Sequence, residues 1–271
     1  MSPKESPTPP TRLQTFVRKY LVWVVLLLIA LVLVGAYFLG YRVGPGITLS
    51  RVGTLALQDL PQGTDVYIDE VLRTSTTATS TKNFDLESGD HTIIVSIPGD
   101  YPWNNLVSIT SGQMMVEKPI LIPMHPDATP LTGDAKTTAI ADIASTTLPT
   151  ETSPLTLANG CAHVYVSNNQ IIADAARARG CTPPPYLCLN GKCASTIIFS
   201  PVDKLSAVLP YPGRQDALLV GLNNVLYAIE LDPRSPQFFA PVLTATNPVF
   251  GLLSNGTLVV KNDNAVFTVR L

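Results

Sequence analysis

Side chains able to do acid–base, nucleophilic or metal chemistry are few in this 271-residue sequence. Two adjacent carboxylates, Asp69 and Glu70, end the stretch "LPQGTDVYIDE". The histidines are His91, His125 and His163, and the cysteines are Cys161, Cys181, Cys188 and Cys193. Acid–base work at Asp69 would need a second carboxylate or a histidine converging on it. On an alternating strand Val66 and Ile68 face one side and Tyr67 and Asp69 the other, so Glu70 points away. His91 belongs to a separate strand. Asp69 is therefore expected to accept hydrogen bonds from backbone N–H groups of the next turn. His125 falls in a Thr/Pro-rich stretch and His163 beside Cys161, so no catalytic trio can be assembled. A Gly-rich phosphate loop, G-x-S-x-G and H-E-x-x-H are all missing. The reading is non-enzymatic, with no cofactor, catalytic residue or metal ligand assigned.

The cysteines lie within one short stretch, an even and clustered count that reads first as two disulfides. Of three connectivities we favour Cys161–Cys181 with Cys188–Cys193, because short loops suit the bend at Pro183-Pro184-Pro185. Zinc is the rival, with His163 as a fifth candidate, but the spacings lack a C-x2-C knuckle. Arg214 and Asp216, in "VLPYPGRQD", are expected to be solvated on a loop. Asn255-Gly256-Thr257 matches the N-glycosylation pattern but suits a two-residue hairpin turn.

The elements that hold these residues begin with "YLVWVVLLLIALVLVGAYFLGY", Tyr20 to Tyr41, an uncharged run. As a helix it spans about 33 Å, enough to cross a ~30 Å hydrocarbon core. Tyr20 and Trp23 at one end and Tyr37 and Tyr41 at the other suit the two interfaces. A signal peptide would have a shorter apolar region, so a retained transmembrane helix over 20–41 is expected, in contact with membrane lipid. Arg12, Arg18 and Lys19 precede the span, whereas Arg42 and Arg51 follow it. The positive-inside rule then makes 1–19 a cytoplasmic tail and places the bulk of the chain outside the cell membrane. Four cations against one acid give that tail +3, so the net −2 leaves −5 on the remainder. An acidic body argues against nucleic acid as a partner.

From 51 to 123 the apolar pattern alternates through "TLALQDL", "DVYIDE", "HTIIVSI" and "NLVSIT", with turns at Pro61-Gly63 and Ser111-Gly112. Pro61-Gln62-Gly63-Thr64, Val66-Tyr67-Ile68-Asp69, Leu86…Gly89…His91-Thr92-Ile93 and Tyr101-Pro102 together resemble the PEGA domain of prokaryotic surface proteins. Thr64 stands where that family has Ala, and Glu70 and Asp100 where it has Gly, so a tight turn after Asp69 is in question. The resemblance implies a small β-sandwich without catalytic residues. Its motif positions, Pro61, Gly63, Val66, Tyr67, Ile68, Asp69, Gly89, His91, Tyr101 and Pro102, would then be structural. Tyr101 and Trp103 either cap the end of the core, which we favour, or contact a ligand.

Residues 124–158 are rich in Thr, Ala and Pro without sustained periodicity and read as an extended linker. Over 159–271 a repeat returns: "LLVGLNNVLYAIEL" from Leu218, "LVVKNDNAVFTVRL" from Leu258 and a weaker "HVYVSNNQIIADA" from His163. A period near 40 is typical of propeller blades, and the copies look similar to blades in extracytoplasmic bacterial proteins that carry PEGA modules. The segment is too short for a closed ring. Either it is a truncated monomeric β-module, which we favour, or several chains complete the ring as an oligomer. A short helix over "NNQIIADAARARG" would remove the third copy. The expected fold class is mainly β: one N-terminal transmembrane helix, a PEGA-like sandwich and a C-terminal β-meander or propeller-blade-like module. The expected role is cell-envelope scaffolding or recognition of an envelope protein or polysaccharide. Carbohydrate binding through Tyr101, Trp103, Tyr211 and Phe238-Phe239 is one alternative, and an accessory subunit of an envelope enzyme is another.

Overall fold

A long uncharged run with no polar face suits a helix, which satisfies its main chain internally, and helix α1 (Arg12–Phe38) contains Tyr20–Phe38 of it. In the computed structural model, residues 12–38, 41–43, 49–144, 146–176, 180–189, 191–234 and 236–271 are described. The helix starts at Arg12, ahead of the apolar stretch, while residues 1–11 lie outside the described residues. The expected span is corrected, because Tyr41 belongs to a strand rather than to the helix, and residues 39–40 lie outside the described residues. Tyr20–Phe38 is long and apolar enough to cross a membrane, and none of it is buried within the protein.

Strands β1 (Tyr41–Val43), β2 (Leu49–Leu60), β3 (Asp65–Ile68), β4 (Val71–Ser75) and β5 (Ser80–Glu87) follow, then β6 (Gly89–Ser96), β7 (Asp100–Tyr101), β8 (Trp103–Ile109) and β9 (Met114–Glu117). Next come β10 (Ile122–Pro123), β11 (Asp127–Pro130), helix α2 (Gly133–Ala144), β12 (Leu155–Leu157), β13 (Ala162–Ser167) and β14 (Gln170–Ala175). A short pair, β15 (Cys188–Leu189) and β16 (Lys192–Cys193), precedes β17 (Thr196–Phe199) and β18 (Leu205–Pro210). The chain then runs through β19 (Ala217–Leu222), β20 (Val225–Glu230), β21 (Phe239–Thr244), β22 (Val249–Leu252), β23 (Leu258–Asn262) and β24 (Ala265–Arg270). The protein is mainly β.

Two compact units emerge: one holds the residues up to Leu57 with Thr81–Asp90 and Ser108–Glu117, the other Gln58–Ser80, His91–Val107 and Lys118–Leu271. The segment 51–123 thus contributes to both. In the first unit the sheet runs β1-β2-β5, with β9 parallel to β2. Leu55 and Leu57 of β2 are fully buried.

The second unit contains the sheet β4-β3-β6-β8 and three further four-stranded antiparallel sheets, β12-β13-β14-β17, β18-β19-β20-β21 and β11-β24-β23-β22. The three sequence repeats are the central hairpins of those sheets, β13–β14, β19–β20 and β23–β24. Each turns through two residues with an Asn or Asp at positive φ: Asn168 and Asn169, Asn223, and Asp263. Positive φ matches the twist of the flanking strands, and Asn and Asp tolerate it better than most residues. The helix considered for "NNQIIADAARARG" is overturned, since Gln170–Ala175 pairs along its whole length with β13; residues 177–179 lie outside the described residues. Leu157, Val164, Ile171, Leu205, Leu218 and Ile229 share one apolar core across two of these sheets.

Residues 124–158 depart from the expected linker. β11 pairs with β24, with Ala128 opposite Val269, and so completes the sheet of the last three strands. α2 packs Ala139 and Ile143 against Val259 and Val266. The packed face of α2 is short, Ala139 and Ile143 at i and i+4 with Ile140 beside them, and all four residues of β11 are exposed. β11 is held by main-chain hydrogen bonds, which leave no side-chain pattern to read.

Candidate functional site

The β3–β4 hairpin joins Ile68 to Val71 through Asp69 and Glu70 alone. Both sit at positive φ, 51° and 66°. The tight turn therefore forms without a glycine. Antiparallel pairing of β3 with β6 brings His91 beside it, a meeting that the sequence reading excluded. His91 Nδ1 lies 2.7 Å from Asp69 Oδ2, and the Thr92 N–H donates to Oδ1 at 3.1 Å. Burial works to raise the Asp69 carboxyl, but the hydrogen bonds from His91 and Thr92 to its anion win, and it stays below the ordinary aspartate range. The pair ties the hairpin to the neighbouring strand. Among the described residues, no three His, Cys, Asp or Glu side chains are arranged to hold a metal. Both residues are positions of the PEGA-like pattern, the one signal that could have joined them.

The other motif residues are mostly backbone devices. Gly63 has φ 82°, and Val66 and Ile68 are fully buried. Tyr67 points to the opposite face, and Gly89 opens β6. Thr64 donates its hydroxyl to the Pro61 carbonyl at 2.9 Å, and its N–H donates to Thr76 Oγ1 at 2.8 Å. The buried hydroxyl thus keeps a partner.

Trp103 cannot meet a ligand, because it is fully buried. Its indole N–H donates to Glu230 Oε1 at 2.6 Å, linking β8 to β20. The other carboxylate oxygen accepts the Phe238 N–H at 3.4 Å. Burial pushes the Glu230 carboxyl up to about 7 against the lowering effect of those two donors. Nearby, Arg214 corrects the expectation of a solvated loop: its side chain is only 7% exposed. It donates to both carboxylate oxygens of Asp216, at 2.9 and 2.7 Å, and to the carbonyls of Pro119 and Lys118, at 3.0 and 2.5 Å. Nothing in the spacing of Trp103, Arg214 and Glu230 signalled this cluster.

Tyr101 lies in β7, paired with Ile122, and Pro102 separates it from β8. Tyr101 lines a cleft of about 520 Å³ in the second unit with His125, Val242, Asn262 and Phe267. Five consecutive residues, Pro241–Ala245, border it. Of the other aromatics considered, Tyr211 and Phe238 are buried. Phe239 is 42% exposed, yet its ring is stacked between Tyr227 at 4.5 Å and Phe199 at 5.2 Å. Those faces are used internally and are not open to a sugar.

Cys161 is bonded to Cys181 and Cys188 to Cys193, the pairing that the short loops favoured. The second bond joins directly opposed residues of β15 and β16. Asn255-Gly256 departs from the expected two-residue turn, because Leu252 pairs with Leu258 and the loop holds Leu253 to Thr257. No protein-family model matches the chain, and no curated protein matches it.

Proposed function

We propose that the chain is a membrane-anchored extracytoplasmic protein of the cell envelope that acts by scaffolding or recognising a partner, without catalysis. The observation that carries this reading is the joining of an apolar helical stretch, Tyr20–Phe38, with none of it buried, to a β-rich body cross-linked by two disulfides. Disulfides persist in oxidising compartments, and the cations that precede the apolar span from Tyr20 favour a cytoplasmic N-terminus. The PEGA-like pattern over 51–123 supports a display module, as do three four-stranded sheets that we read as propeller-like blades, the last of them a three-stranded meander completed by β11. β11 supplies the outer strand of the last meander, which supports a truncated module over a ring shared between chains. The carboxylates nearest to chemistry hold structure: Asp69 a hairpin, Glu230 an indole and Asp216 a guanidinium.

Alkaline carbonate should leave the chain in the membrane, and protease added to intact cells should shorten it to its N-terminal part. Release by carbonate, or full protection from protease, would overturn the anchoring and the orientation. Crosslinking in native membranes should trap an envelope component. A ligand-binding role rests on the 520 Å³ cleft, since pockets of this size take small molecules. It predicts that Tyr101→Ala weakens retention on cell-wall polysaccharide, and equal retention would remove that reading.

A further inference from the structure

The two disulfides differ in how far a thiol from solution can reach them. Cys161 is buried just ahead of β13, with its N–H donating to the Ala158 carbonyl and its own carbonyl accepting the Ala176 N–H. Its partner Cys181 is half-buried. Cys188–Cys193 instead crosses the two-stranded sheet β15-β16. Cys188 packs against the apolar core, but Cys193 is exposed, as are Gly191, Lys192, Ala194 and Ser195 around it. A cleft of about 320 Å³, walled by Ala175, Ala176, Pro183 and Ser195, opens at Cys193. Asp174, the carboxylate in its lining, accepts the Tyr165 hydroxyl at 3.2 Å.

Exchange requires a thiolate to reach one sulfur of the bond, so access separates two bridges that are otherwise chemically alike. We propose that Cys188–Cys193 is a thiol-exchange site: a dithiol enters at the Cys193 sulfur and reduces this bridge while Cys161–Cys181 stays closed.

The reduction takes two exchanges. A thiolate of the dithiol bonds to Cys193 Sγ, the bond to Cys188 breaks, and Cys188 Sγ leaves as a thiolate that takes a proton from water. The second thiol of the reagent then loses its proton and attacks the reagent's own sulfur in the mixed disulfide. The bond to Cys193 breaks, and Cys193 in turn takes a proton. Two electrons have passed from the dithiol, now a cyclic disulfide, to two cysteines, now thiols. Lys192 sets a cation beside the approaching anion. Cutting the bond frees the hairpin alone. Leu187 and Ile198 on either side are buried, and the Leu187 carbonyl still accepts the Ala194 N–H.

The test uses the oxidised full chain in detergent micelles at about pH 8, where dithiothreitol is an effective nucleophile. Samples taken during the reaction are quenched with excess N-ethylmaleimide and mapped by peptide mass spectrometry. Cys188 and Cys193 should be labelled together, roughly 10-fold or more faster than Cys161 and Cys181. In urea, where the fold no longer shields either bridge, the two rates should come together. Equal rates in the folded chain, or faster reduction of Cys161–Cys181, overturn the site. A preference of the same size in urea also overturns it, because it would belong to the local sequence and not to the fold. Glutathione in large excess has one thiol and halts after the first exchange. Its mixed disulfide should be trapped on Cys193, with maleimide on Cys188. An adduct on Cys188, or on neither, overturns entry at Cys193.

Discussion

Glu70 occupies a position where most side chains are strained, at φ 66° in a turn that normally takes glycine. A non-glycine residue in the left-handed region costs about 1–2 kcal/mol. Glu70→Gly should therefore stabilise the hairpin by about 1 kcal/mol, and the thermal midpoint should rise by about 2–4 °C. A midpoint that stays put or falls would show that the Asp69–His91 contact already absorbs the strain. Arg214 acts in the opposite sense. Its guanidinium satisfies two carbonyls and a carboxylate within the second unit. Arg214→Met should lose about 2–4 kcal/mol in urea unfolding, since buried acceptors are left without donors. Arg214→Lys should recover little of it, because an ammonium cannot reproduce the planar fork.

Among the elements, α2 is the one that composition concealed. Gly251 of β22 leaves room for it: a Cβ there would fall 2.6 Å from Ile143 Cγ2 and 3.0 Å from Thr146 Oγ1. Ile143→Ala should cost about 2–4 kcal/mol by opening a cavity, and Gly251→Ala about 1–3 kcal/mol by overpacking. Together they should cost less than the sum by at least about 0.5 kcal/mol, because the first removes the methyl that the second meets. Full additivity in a thermal double-mutant cycle would mean that α2 does not pack on β22. The repeats were legible because each is two apolar strands around an Asn- or Asp-bearing turn. β11 was not, because its four exposed residues carry no alternation.

For the whole molecule, the two disulfides suit an oxidising compartment. Cys161–Cys181 closes a loop of sequence separation 20 and Cys188–Cys193 one of 5. Loop-closure entropy grows with loop length, so the longer bridge should contribute about 3 kcal/mol and the shorter one less. Replacing the first pair by serine should lower the urea midpoint more than replacing the second, and reducing agent should match the double replacement. A larger loss from the short loop would place the stabilisation in local packing around β15 and β16 and not in chain entropy.

The order of the parts was written in local patterns: an uncharged run that suits a helix, alternating strands, Asn-bearing hairpin turns and clustered thiols. These depend on neighbours within a few residues, so sequence suffices to read them. The meeting of Asp69 with His91, the burial of Trp103 on Glu230 and the capture of Arg214 by two carbonyls depend on which strands become neighbours. Such contacts join residues from 22 to 127 positions apart. Only the packed chain makes them, because the cost of burying a charge or an indole N–H is offset by a partner that no local pattern names.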